Sequence, residues 1–278
     1  MSVDRLSTAF HETFPLNLPS ISAILRLACD TNGQLTSAII RENTSLGTRY
    51  VKSMPRYARG CGLLEMGTFQ PTHFGKLVCN HDPNLSHPAT LWMMHYHLCA
   101  PHGPGPAYWY NLIAHCLPFY EDVSDAAMTS ATARLLEAEQ PGDALQPDTI
   151  KAAVTVFRRT YARTDGLGRL GFLQESKQKG SIYVYVSAPQ LPPPGVVAYA
   201  LADYWAGQPY AFQKTVSLSE FARDDGFARL MWMDPHNLEE TLDILRRDGV
   251  LELFRTAPPY QVSRLWSCKE DLLARLYD

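Results

Sequence analysis

Apolar residues recur at helical spacing along most of the chain, interrupted by a few short alternating runs. Leu35–Arg41 and Thr48–Arg59 carry the helical period, as do Asp148–Arg163 and Val196–Ala206. Pro88–Cys99 and Pro106–Leu117 each begin with a proline, which suits a first helical turn. Ile182–Ser187, rich in Val and Tyr, predicts a strand. Leu63–Cys79 places Gly67, Pro71 and Gly75 between short apolar runs and predicts a small hairpin. Near the end, Asp234 with Pro235 predicts a capped helix stopped by Gly249. Val250–Phe254 and Tyr260–Leu265 follow as a hairpin, and Lys269–Tyr277 as a last helix. The expectation is a mainly α chain with small β-hairpins (α+β). Winged-helix-like units stand at each end of a helical middle: 1–118, 119–216 and 217–278.

The helix Thr48–Arg59 separates charge from apolar surface. At 3.6 residues per turn, Arg49, Lys52, Arg56 and Arg59 share one face, while Tyr50, Val51, Met54, Tyr57 and Ala58 share the other. With the turn at 44–47 before it and the expected hairpin after it, this reads as a recognition helix with an apolar back and a cationic front for phosphates. Double-stranded DNA is the expected partner. Pro55 lacks a backbone donor and predicts a kink or restart after Ser53 or Met54.

Bulk composition adds no independent support. The formal net charge is −3, so any phosphate affinity rests on a local patch. The six cysteines form no C-x-x-C pair and read as reduced thiols. The start of the sequence lacks signal-peptide features and no apolar run is long enough to span a bilayer, so a cytoplasmic protein is expected.

Other motifs are more ambiguous. The helix expected after Asp234 mixes Glu239, Glu240 and Asp243 with Arg246 and Arg247 on its open side, which suits a protein contact or homo-oligomer through 217–278 as well as plain packing. A second basic stretch, Arg158, Arg159, Arg163, Arg169, Lys177 and Lys179, straddles a glycine run at 166–171. The glycine spacing fits neither nucleotide-binding fingerprint and predicts a flexible loop. Asp165 with Glu175 and Lys177, just before the expected strand, has the D…ExK order in which acids hold Mg²⁺ and a lysine positions water. His95, His97 and Cys99 suggest zinc, but residues two apart on a helix point in nearly opposite directions.

The segments His11–Leu16, Leu46–Arg59, Thr72–Gly75 and Ala107–Tyr110 together resemble the SspB-type, uncharacterised-domain family of the Ssp DNA phosphorothioation system. Where the family has a lysine at the start of the basic helix, this chain has Arg49. The resemblance implies a phage-defence protein that nicks one DNA strand for sulfur incorporation, or else a non-catalytic adaptor that reads DNA. It implies sulfur-transfer and cysteine desulfurase partners, and Mg²⁺ or Mn²⁺ if the protein is a nickase. It also marks His11 and Glu12 as a candidate base and metal ligand.

Overall fold

The computed structural model describes residues 10–117, 122–139, 146–178, 181–186, 191–223 and 226–278, with the side chains of 177–186 excepted. The chain forms two compact units, 1–190 and 191–278.

The first unit is built around a helix buried on every side. Ten of the twelve residues of α5 (Pro88–Cys99) are buried, because its sequence is apolar or aromatic around the whole circumference. Before it come α1 (Leu18–Asp30), α2 (Ser37–Asn43), α3 (Thr48–Gly60) and α4 (His73–His81). After it come α6 (Ala107–Asn111), which runs into a π-helical turn at Leu112–Cys116, then α7 (Asp125–Glu139) and α8 (Pro147–Ala162). Trp92 and His95 of α5 pack with Phe172, Tyr161, Trp109 and Phe157 in one aromatic cluster. At its centre the Tyr161 hydroxyl lies 2.6 Å from His95 Nδ1 and 3.1 Å from Cys99 Sγ, so the buried polar atoms satisfy one another. The histidines of α5 thus divide between packing roles: His95 is in the core, and His97 faces the Phe74 ring at 5.8 Å.

A three-stranded antiparallel sheet closes this unit, with β1 (Asp122–Ser124) and β2 (Leu173–Gln178) flanking β3 (Ser181–Val186). Glu175 of β2 stands opposite Val184.

Several expectations are corrected here. Residues 63–79 do not form a hairpin. Leu64 and Pro71 make one isolated bridge, and Thr72 then caps α4 by accepting a hydrogen bond from Gly75 N at 2.8 Å. Phe74 and Val78, four apart and buried, give that helix its inner face. The first winged-helix-like unit therefore lacks its wing. Helix α3 runs through Pro55 without a break, with Pro55 itself buried. Cys29 and Cys79 are joined in a disulfide with Cα atoms 6.9 Å apart, because α1 packs on α4; the fifty-residue separation hides this pairing in the sequence. The glycine run is not a loose loop. It forms a 3₁₀ helix at Leu167–Leu170, preceded by Gly166, and at Gly168 within it a Cβ would lie 2.4 Å from the Arg163 carbonyl.

The second unit has its own buried helix, α9 (Pro194–Ala206), apolar but for Asp203, which pairs with Lys269. Its elements continue as β4 (Thr215–Ser217), α10 (Ser219–Ala222), α11 (Phe227–Leu230), α12 (Pro235–Arg247), β5 (Leu251–Phe254) and β6 (Gln261–Arg264). The antiparallel sheet has the order β4-β6-β5. The three-way division expected from sequence placed α9 in a middle region; here it is the helix on which α12 and the final 3₁₀ helix, Glu270–Arg275, pack. As expected, Asp234 caps α12, its carboxylate accepting from Asn237 N at 2.8 Å.

Phe172→Ala would empty the centre of the aromatic cluster. We expect it to destabilise the first unit by about 3–5 kcal/mol, read from the denaturant midpoint. Asp234→Ala should cost the second unit about 1 kcal/mol, leaving the first unit's transition unmoved.

Candidate nucleic-acid interface

The apolar back of α3 is what seats it. Val51, Met54, Tyr57 and Ala58 are buried, which leaves Arg49, Lys52, Arg56 and Arg59 along the outer side. The sequence-derived division into two faces is therefore realised. The four cations do not share one environment, however. Arg59 donates through Nε to the Thr68 carbonyl at 2.8 Å and lies over the Phe69 ring, 4.9 Å from its centre. Arg56 meets the Glu12 carboxylate at 3.0 Å. Arg49 and Lys52 are exposed, and no ion pair to either is found among the described residues.

The segment around residues 10–18 lies against α3. Phe10 sets its ring edge-on to Tyr57, and Phe14 does the same to Tyr50. The Tyr57 hydroxyl donates to the Phe14 carbonyl at 2.9 Å. The same segment reaches α8 and the turn after it. Leu16 N donates to Thr160 Oγ1 at 3.1 Å, Leu18 N to the Asp165 carbonyl at 2.7 Å, and Asn17 Nδ2 to the Asp165 carboxylate at 3.1 Å. Residues 10–18 thus join the two basic stretches that the sequence keeps a hundred residues apart. Arg163 stands close enough to Tyr50 for the two to interact electrostatically, and Arg159 and Arg169, on α8 and on the 3₁₀ turn after it, are exposed. Sequence periodicity shows each stretch but carries no signal that they adjoin.

The candidate chemical residues fall into separate pairs. His11 is buried; its Nδ1 accepts from Thr13 N at 3.1 Å and its Nε2 has no hydrogen-bond partner. Burial, reinforced by the Arg56 charge, lowers its pKa to about 4. Glu12 is committed to Arg56. Asp165 accepts two hydrogen bonds from Arg163, at 2.8 and 2.7 Å, which hold its carboxyl below the usual carboxylate range. Glu175 instead pairs with the buried Arg158. Asp125 approaches that same guanidinium at 3.1 Å, near enough for an ion pair but not aligned as a hydrogen bond. Burial raises the Asp125 pKa. The side chain of Lys177, like that of Lys179, lies outside the described residues.

Asp125 is a functional candidate that sequence reading missed, since fifty residues separate it from Glu175. It lines a cleft of about 650 Å³ between α7 and α8, with Thr129, Ile150 and Lys151. Among the described residues no group of three or more His, Cys, Asp or Glu side chains is placed to hold a metal ion. The candidate acids already have arginine partners, so this donor set does not fit a divalent cation.

His11 gives a pH prediction. Its folded pKa lies below the unfolded value, so between about pH 6.5 and 4 the unfolded chain binds the extra proton. Stability is therefore lost as pH falls through that window, by up to roughly 3 kcal/mol. His11→Asn should flatten the pH dependence of thermal unfolding there, and the His11 imidazole resonances should not titrate above pH 5.

No helix among the described residues is long and apolar enough to cross a membrane. A magnesium ion-bound SspB crystal structure matches with a TM-score of 0.75 at 19% identity, over 97% of this chain and 86% of that one. A second SspB crystal structure matches with a TM-score of 0.76 at 18% identity, with the same coverage. At this identity the likeness establishes the fold. No curated protein matches the sequence. Residues 9–277 match the family described as "Protein of unknown function (DUF4007)", and with nearly its whole length inside that match the chain belongs to the DUF4007 family.

Proposed function

We propose that the chain is a duplex-DNA-binding component of an Ssp-type phosphorothioation system, gripping the backbone with its first unit. One observation carries this reading: Arg49 and Lys52 stand exposed on the outer face of α3, free of ion pairs among the described residues, while the helix's apolar back is buried. Local cations of this kind supply phosphate affinity in a chain whose net charge is negative. The SspB fold supports the assignment to a phosphorothioation system. Cysteine desulfurase and sulfur-transfer proteins as partners are part of the same proposal.

The adaptor role is the better supported of the two, because the candidate acids are tied to arginines. The nickase reading keeps two observations in its favour. An SspB relative binds magnesium, and Asp125 and Glu175 converge on Arg158 beside a cleft. In the second unit, the element order α9-β4-α10-α11-α12-β5-β6 supports a winged-helix-like module. The acids of α12 are answered by Arg255, which meets Asp243 at 2.8 Å, and Phe212, Phe254 and Leu265 are exposed. Paired acids and exposed apolar side chains suit association with protein rather than with phosphate.

Arg49→Gln with Lys52→Gln should weaken binding to a DNA duplex regardless of its sequence and make the salt dependence shallower by about 2 in log–log slope. Affinity and slope unchanged from wild type would refute the grip. Supercoiled plasmid incubated with Mg²⁺ or Mn²⁺ should stay closed if the adaptor role is right. Open-circular product that disappears with Asp125→Asn or Glu175→Gln would establish the nickase.

A further inference from the structure

We propose that Arg56 is a seat for a nucleic-acid phosphate, held in the free protein by an internal anion, the Glu12 carboxylate, which withdraws when the backbone docks. The inference rests on the reading of α3 as a DNA-binding face and says how one cation of that face is kept before DNA arrives.

The placement of Glu12 motivates it. Glu12 and Thr13 have φ values of 48° and 69°, in the left-handed region that residues with a Cβ seldom enter. Such a turn persists only where its surroundings fix it. Here they do so on both sides, through the Phe10–Tyr57 ring contact before it and the Tyr57–Phe14 hydrogen bond after it. The crest of the turn delivers Glu12 to Arg56. Beneath it lies His11, buried and with Nε2 unpartnered. No second cation competes for the Glu12 carboxylate among its described contacts.

The ion pair is also of the kind that exchanges. The side chains of Arg56 and Glu12 remain 41% and 38% exposed, and solvent-exposed pairs contribute little to stability. A phosphate offers the guanidinium a two-pronged, charge-assisted contact in place of the carboxylate. Arg56 continues the line of Arg49 and Lys52. At 1.5 Å per residue the three span about 10 Å of helix, enough to follow two or three phosphates of one strand. With the phosphate in place of the Glu12 carboxylate, Arg56 adds one phosphate contact to those made by Arg49 and Lys52.

The test measures binding of a fluorescent DNA duplex across a salt series. Glu12→Gln, which keeps the shape and removes the charge, should tighten binding about threefold or more at fixed salt. It should also steepen the log–log salt slope by up to about 0.9, the increment for one additional phosphate contact. Glu12→Asp, too short to reach Arg56 in the same way, should move both quantities in the same direction. Adding Arg56→Gln to Glu12→Gln should erase the gain. Thermal unfolding at the wild-type temperature certifies the fold of each variant. Unchanged or weaker binding by both Glu12 variants, while Arg49→Gln with Lys52→Gln still weakens the wild-type protein, overturns this inference alone. A gain that survives Arg56→Gln overturns the assignment to Arg56. If Arg49→Gln with Lys52→Gln has no effect on wild-type binding, the reading of the whole face fails, and this inference fails with it.

Discussion

The arrangement of the first unit depends on the seating of one short segment between two helices. Residues 10–18 lie against α3 on one side and against the end of α8 on the other. Their backbone groups are satisfied by side chains of both: the Tyr57 hydroxyl for the Phe14 carbonyl, and the Thr160 hydroxyl for Leu16 N. A buried backbone group without a partner is costly, so each of these hydroxyls fixes the path of the segment. Because the segment touches both helices, it also fixes the basic face of α3 relative to the basic corner after α8. The candidate interface is a product of that seating more than of any single helix.

Much of the helical framework was legible from spacing alone. Helices α3, α5, α8, α9 and α12 follow from periodicity and from proline or aspartate at their starts, because those signals act within a few residues. The charged and apolar sides of α3 were legible for the same reason. Errors arose where a local signal was outweighed or absent. Gly67, Pro71 and Gly75 suggested turns, but the Thr72 cap and the buried pair Phe74 and Val78 make a helix of the segment. Strand β2 reads Leu-Gln-Glu-Ser-Lys-Gln, without apolar alternation, and is a strand because β3 pairs with it along its whole length. Helix α1 was passed over, although Asn17 caps it and Ile21, Ile24, Leu25 and Ala28 face the core.

The candidate site was legible residue by residue but not as a set of pairings. Nothing local in the sequence says that Glu12 belongs to Arg56, that Asp165 answers Arg163, or that Glu175 shares Arg158 with Asp125. These are long-range or conformational facts. They change what each residue is able to do. A carboxylate held by a guanidinium is an anchor, whereas the same carboxylate alone in a cleft is a ligand or a base.

Arg158 shows how far such a pairing reaches. Its guanidinium is buried and answers carboxylates from two other elements, Asp125 at the start of α7 and Glu175 in the middle of β2. The polar sequence of β2 gives the hydrophobic effect almost no hold on how that strand aligns with β3, and a strand of that kind is prone to slide by a residue. Here a slide would carry Glu175 away and leave a buried cation short of its counter-charge, a far larger penalty than any loss of apolar contact along the strand. One arginine thereby serves as the stop that keeps a soluble-looking strand from slipping.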